Sequence, residues 1–309
     1  MIKEIHIARH YGFCMGVKRA INIAEETAQT DQNKVTILNE IVHNEAVVDK
    51  FKEQGVDQAF KVGDVDKGTL IISAHGVSPD VIEEAEKSGL KVVDATCPLV
   101  TRIYDIVKKV VKNGYHIIHY GNPHHDETIG IVGHAPDSIT VVGTIEELMA
   151  LPEWKDRKLG LTVQTTSHIN QFTEVEKIAQ EKWPHLEVFN TICNATTKRQ
   201  SAIMDLAPKV DMVLVVGSQS SANSRRLATI SAAICGKGEL INSAYDIKSE
   251  WFAEGSKVEK VGISAGASTP EFLVEEVIDK LVELSGGKAE VIKPEKKSRI
   301  GKVSRPVQQ

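Results

Sequence analysis

The sequence predicts an α/β protein of parallel sheets, divided into three similar blocks. Three observations predict it. Short β-branched runs alternate with longer amphipathic segments. The runs are continuously apolar, as strands covered on both faces are. Cys14, Cys97 and Cys193 stand 83 and 96 residues apart, each just ahead of a segment with helical spacing. A chain of 309 residues has room for two or three domains.

Taken in order, residues 5–8 read as a strand and 17–28 as the helix after it. Val35–Leu38, 70–73 and 92–93 read as further strands. Residues 99–112 carry Val100, Ile103, Tyr104, Val107, Val110 and Val111 at helical spacing and stop at Asn113-Gly114, a helix-ending pair. Residues 116–120, 159–163, Met212–Val216 and 261–264 read as buried strands; 175–182, 201–207, 228–234 and Glu271–Leu284 read as helices. The expected blocks are 1–95, 96–191 and 192–286, followed by a basic segment, 287–309. That segment reads as a solvated tail or a strap over another block.

Composition removes several classes of function. Hydrophobic residues at 41% and charged residues at 26% suit a soluble globular chain. A net charge of −5 and an aromatic content of 5% argue against a nucleic-acid partner. No apolar run approaches the roughly 18 residues of a membrane span, and the N-terminus lacks the apolar stretch of a signal peptide. Four cysteines do not make a disulfide framework. The expectation is a cytoplasmic protein with reduced thiols.

Ligands of α/β sheets bind beyond the carboxyl ends of strands. Polar residues collect at those points here. His43 follows the 35–38 strand, His75 the 70–73 strand, and His124, His125 and Glu127 the 116–120 strand. Thr165 follows 159–163. The loops 217–224 and 264–270, with Ser221, Ala222, Asn223 and Ser268, are rich in small residues and hydroxyls. Small residues and free amides at helix starts suit a phosphate or diphosphate, although ordinary N-capping uses the same residues. The histidines could pair with phosphate or hold a metal, zinc being the standing choice. In an extended segment His125 and Glu127 would share a face. A carboxyl beside an anion has a raised pKa and can donate a proton. His6, His10, His116, His119, His134, His168 and His185 read as structural, and Asp94 and Asp126 as turn residues.

There is no Walker lysine pattern and no G-x-G-x-x-G after the first strand, so a nicotinamide or nucleoside triphosphate bound in the usual way is disfavoured. Electrons would come from elsewhere. A helix N-terminus favours thiolate, the form that metals and iron–sulfur clusters take. Three cysteines in such settings suit a four-iron cluster that keeps one iron free of protein ligands, able to act as a Lewis acid and to deliver electrons. Cys235 sits at a helix end, where a thiolate is disfavoured, and reads as a small packing residue.

Together these pieces resemble one family, the 4-hydroxy-3-methylbut-2-enyl diphosphate reductases. The motifs are Gly-Phe-Cys-x-Gly-Val (12–17), Val-His-Asn (42–44), Ser-Ala-His-Gly-Val-Ser (73–78), Asp-Ala-Thr-Cys-Pro (94–98), Gln-Thr-Thr (164–166), Ile-Cys-x-Ala-Thr-Thr-x-Arg-Gln (192–200) and Ala-Gly-Ala-Ser (265–268). The resemblance implies three α/β domains in pseudo-threefold arrangement around a central [4Fe-4S] cluster held by Cys14, Cys97 and Cys193. It implies a diphosphate site of His43, His75, Ser221, Asn223 and Ser268, with His125 between that site and the reacting end. Thr165 and Glu127 would position the substrate hydroxyl and relay protons. The implied reaction removes that hydroxyl by two-electron reduction, as the last step of the methylerythritol phosphate route to isoprenoids. Its products would be isopentenyl and dimethylallyl diphosphate, with ferredoxin or flavodoxin as electron donor. The chain departs from the family in two places. It has His124-His125-Asp126-Glu127 where Gly-His-Pro-Glu is frequent, and His125 is chosen by its distance to Glu127. It has Ala222 where a serine is frequent, which leaves only the backbone amide to serve. Two other readings use the same residues: a zinc-dependent hydrolase of a phosphorylated metabolite, and a non-catalytic phosphometabolite-binding protein. Colour and metal content separate the three.

Overall fold

Strands apolar on both faces need helices on both faces, and each of the three sheets has them. The computed structural model describes residues 1–253 and 255–294. In chain order, β1 (Glu4–Ile7) and α1 (Met15–Thr30) come first. Next are β2 (Val35–Leu38), α2 (Glu45–Glu53), β3 (Asp57–Ala59), β4 (Thr69–Ile72), α3 (Pro79–Lys87) and β5 (Lys91–Asp94). Then α4 (Pro98–Lys112) leads to β6 (Tyr115–Tyr120), α5 (Asp126–Gly133), β7 (Ile139–Val142), α6 (Ile145–Ala150), β8 (Lys158–Val163), α7 (Ile169–Lys182) and β9 (Glu187–Val188). Last come α8 (Asn194–Leu206), β10 (Met212–Val216), α9 (Ala222–Cys235), β11 (Gly238–Ile241), β12 (Lys260–Ala265), α10 (Glu271–Leu284) and β13 (Glu290–Ile292).

All pairings between these strands are parallel. The sheet orders are β3-β2-β4-β5, β7-β6-β8-β9 and β11-β10-β12-β1-β13. The first two orders are the same arrangement, four strands further along the chain. The third repeats it with one exchange: β1 takes the fourth place, the one held by β5 and by β9. Glu4 pairs with Lys260 and Ile5 with Val261. The first strand therefore belongs with the sheet of the last block, not with residues 35–94. Ile5 and Ile7 are buried, and Ile5 packs in one core with Val261, Ile263 and Leu281. The segment expected as a basic tail begins inside this sheet, since Glu290 pairs with Glu4 along β13. Residues 295–309 of that segment lie outside the described residues.

Each sheet has its own core. Ile37 and Ile71 pack with Val17, Ile21 and Phe51 in one, and Leu161 and Val163 with Phe172 and Trp183 in another. Fully burying such a side chain contributes roughly 1.5–3 kcal/mol. Among the described residues, no helix is long and apolar enough to cross a membrane.

Candidate active site at the meeting of three sheets

The strand order explains why residues far apart in sequence meet. Equivalent strand ends of the three blocks open onto one cavity of about 540 Å³. After the first strand of each block come His43, His125 and the pair Ser221 and Asn223. After the third come His75, Thr165 and Ser268. After the strand in fourth place come Cys97, Cys193 and Cys14. All of these, with Glu127 and Ala222, line the cavity. His124 does not; it is exposed, while His125 is buried.

Each cysteine is the N-cap of the helix that crosses to the next block: Cys14 of α1, Cys97 of α4 and Cys193 of α8. Cys14 Sγ accepts from Val17 N at 3.4 Å, and Cys193 Sγ from Thr196 N at 3.3 Å. Pro98 occupies the first turn of α4, where its missing N–H costs nothing. Gly16 marks how closely the sulfurs converge. A Cβ there would lie 2.4 Å from Cys97 Sγ and 4.0 Å from Cys14 Sγ. Burial pushes the Cys97 and Cys193 thiols up, against the helix amides that favour thiolate. The expected lowering by the helix ends is thus outweighed, because a thiolate loses its water here. A half-buried set of soft sulfur donors in one cradle fits an iron–sulfur group. Cys235 stands apart at the end of α9, with Sγ donating to Ser231 O at 3.2 Å.

In the same cavity the three histidines face one another. His43 and His75 stack with ring centres 4.1 Å apart, and His125 meets both edge-on at 5.5 and 5.7 Å. One ring nitrogen from each lies within 4.8 Å of the others, a spacing that could also hold a metal ion. Glu40 fixes the His43 ring through Nδ1 at 2.8 Å. His125 Nδ1 accepts from Glu127 N at 3.2 Å, which leaves the proton of the neutral ring on Nε2. Burial, and then repulsion from His43, brings His125 down to about 4; burial and its neighbouring histidines push His75 well below the usual range. His75 Nε2 and both amide atoms of Asn223 are buried without a partner among the described residues. Such groups are costly unless something pairs with them. Ser268 Oγ donates to His43 O at 2.8 Å, and Ser221 caps α9.

Glu127 is buried, and burial raises its pKa despite two hydrogen bonds from Thr165. Its segment is not the extended one in which His125 and Glu127 would share a face. His125 caps α5 and Glu127 lies in the first turn, because the His125 side chain takes up the Glu127 amide. Both side chains still reach the cavity. Asp94, read as a turn residue, is instead the last residue of β5, with Oδ1 accepting from Thr96 N at 2.8 Å. Asp126 instead opens α5.

Sequence reasoning missed Thr196 and Arg199 as lining residues. They recur at every third position after Cys193 on α8, the signal that would have found them. His10, read as structural, stands at the cavity wall with Arg9, and nothing in the sequence marked it. His119, by contrast, is a buried structural residue bonded to Thr162 at 2.9 Å.

Comparison with known proteins gives the following. The sequence profile of the LytB protein family matches residues 5–282. The 4-hydroxy-3-methylbut-2-enyl diphosphate reductase of Geobacter metallireducens is 39% identical over 285 residues, covering 92% of this chain and 99% of that protein. The enzyme of the same name from Aquifex aeolicus is 39% identical over 292 residues, covering 92% and 98%. Among solved structures, the E-1-hydroxy-2-methyl-but-2-enyl-4-diphosphate reductase from Plasmodium falciparum matches with a TM-score of 0.90 at 31% identity, covering 99% of this chain and 96% of that one. A second, (E)-4-hydroxy-3-methyl-but-2-enyl diphosphate reductase, described as the terminal enzyme of the non-mevalonate pathway, matches at 0.65 with 38% identity, covering 92% and 100%.

Proposed function

Because this chain belongs to the LytB family of 4-hydroxy-3-methylbut-2-enyl diphosphate reductases, we propose that its cavity removes the hydroxyl of that substrate reductively, giving isopentenyl and dimethylallyl diphosphate. The chain is an oxidoreductase of the non-mevalonate isoprenoid route. The observation that carries the reading is that three cysteines line one cavity together with His43, His75 and Asn223.

Cys14, Cys97 and Cys193 would hold a [4Fe-4S] cluster. Bound there, it supplies two electrons, passed on from a ferredoxin or flavodoxin, and a Lewis-acidic iron with no protein ligand. The chain's own residues do the rest. The diphosphate takes its hydrogen bonds from Asn223, Ser221, Ser268, the Ala222 amide and the histidine rings. His75 and His125 enter neutral, so binding an anion there draws protons onto the rings. Asn223 and His75 Nε2 gain the partners they lack. The diphosphate end thereby sets the position of the hydroxyl end near Glu127 and Thr165.

Glu127, whose pKa burial raises, would give one proton as the C–O bond breaks and the hydroxyl leaves as water and, once reprotonated from solvent, a second to the carbon reduced by the two electrons. Thr165 holds the carboxyl in place and carries the proton across its own hydroxyl. His125, next to both, links the diphosphate end to this pair. Phe13, Val42 and Leu99 add an apolar stretch to the cavity lining.

The three-histidine spacing also favours a second reading, a zinc site. It leaves the three converging cysteines without a task. Anaerobic turnover of the diphosphate substrate with a chemical one-electron reductant tests the first reading. Formation of the two C5 diphosphates is expected; phosphate release with no reductant consumed would favour the second.

A further inference from the structure

We propose that Arg199 is a positioning residue of the cysteine site, tying the Cys14 loop to the Cys193 helix and setting how readily a cluster held there is reduced. The inference rests on the cluster reading above.

Arg199 is the one buried Lys or Arg among the described residues, at 5% exposure. Its guanidinium donates Nη2 to the carbonyl of Gly12, two residues before Cys14. It donates Nη1 to the carbonyl of Ala195, two residues after Cys193, at 2.9 Å. One planar group thus reaches Gly12, 187 positions earlier in sequence, and Ala195 on its own helix, joining the first strand's loop to α8. Nε has no partner among the described residues. Burial disfavours the charge, and the groups that favour it are the Cys14 and Cys193 sulfurs rather than any carboxylate.

A buried cation without a carboxylate is costly unless a negative charge lies nearby. A reduced iron–sulfur cluster carries one more negative charge than the oxidised one. Net charge and hydrogen bonding around a cluster set its potential. A fixed cation beside the ligands therefore stabilises the reduced form, and its loss makes reduction harder. The fork matters separately. Lysine would keep the charge, but a single ammonium does not reproduce two fixed donors aimed at two carbonyls.

The test is an anaerobic redox titration of wild type, Arg199→Lys and Arg199→Gln, followed by visible absorbance and electron paramagnetic resonance, with iron per chain measured for each. Iron in the wild type is the control for the cluster itself; its absence would refute that reading and not the role of Arg199 within it. At the potential where wild type is half reduced, Arg199→Gln should hold about tenfold less reduced cluster, the scale of one nearby partly screened charge. Arg199→Lys should titrate close to wild type while losing iron faster on standing. A Gln variant that titrates like wild type would overturn the proposal. So would Lys and Gln variants that shift together, which is the mark of a mere structural brace. Should the Gln variant bind no iron, iron retained by the Lys variant supports the charge role, and iron lost from both while circular dichroism stays native overturns it.

Discussion

Thr165 holds Glu127 at both carboxyl oxygens: its amide donates to Oε1 at 2.7 Å, and its hydroxyl lies 2.5 Å from Oε2. The two residues come from different strand ends of the second sheet, 38 positions apart. Burial raises the Glu127 pKa, so its proton is retained to a higher pH than that of a solvated carboxylate. Glu127→Gln keeps the shape and a donor but has no proton to give. Turnover should fall by about 10²–10⁴-fold, the usual worth of general acid catalysis. Iron content and binding of inorganic diphosphate should stay as in wild type. Turnover within a few-fold of wild type would remove Glu127 from the chemistry.

Each cysteine that lines the cavity should matter to iron, and the fourth should not. Replacing Cys14, Cys97 or Cys193 with Ser should lower iron per chain after anaerobic purification, because a hard hydroxyl replaces a soft thiolate. Cys235→Ser should retain wild-type iron, since its sulfur donates to the carbonyls of Ser231, inside α9, and Lys237, just past its end. Equal loss from all four variants would show that iron follows general stability.

Gly16 is a sharper probe because it touches the sulfurs without being a ligand. The methyl of Gly16→Ala would meet Cys97 Sγ at 2.4 Å. Relief requires moving the sulfur or the start of α1, an overpacking cost of about 1–3 kcal/mol. Less than half the wild-type iron per chain is expected. Gly63→Ala, which meets nothing within 4 Å, is the control and should be silent.

His125 and His119 make stability fall on the acid side. Burial holds both at about 4, below the 6.5 of an unfolded histidine. Between those values the unfolded chain binds more protons, so stability is at its full level above pH 6.5 and declines as pH falls towards 4. Each contributes roughly 3 kcal/mol over that window by linkage. Urea unfolding at pH 7.5 and pH 5 should show the loss, and His119→Gln should reduce it. An unfolding free energy that rises from pH 7.5 to pH 5 would contradict the burial account.

Much of the fold is legible in the sequence because its central strands are continuous apolar runs. Val35–Leu38 and Met212–Val216 are read to the residue. Two edge strands are not legible. Asp57–Ala59 and Glu187–Val188 carry no β-branched run, and they form because a neighbouring strand offers a free edge. The partner of β1 is hidden for a similar reason: periodicity shows that Ile5 is buried but not what buries it. In the site, the cysteines stand out because helical spacing starts directly after each one. Arg199 does not, since an arginine on a helix reads as a solvated face until the fold closes over it.

The central claim is that three sulfurs from equivalent strand ends share one iron–sulfur cluster. Iron and acid-labile sulfide per chain, measured on the full protein purified anaerobically, test it most directly. The account predicts brown protein with about four irons and as much sulfide per chain, the content of a four-iron cubane. Colourless protein, whether holding zinc at His43, His75 and His125 or no metal at all, would contradict it.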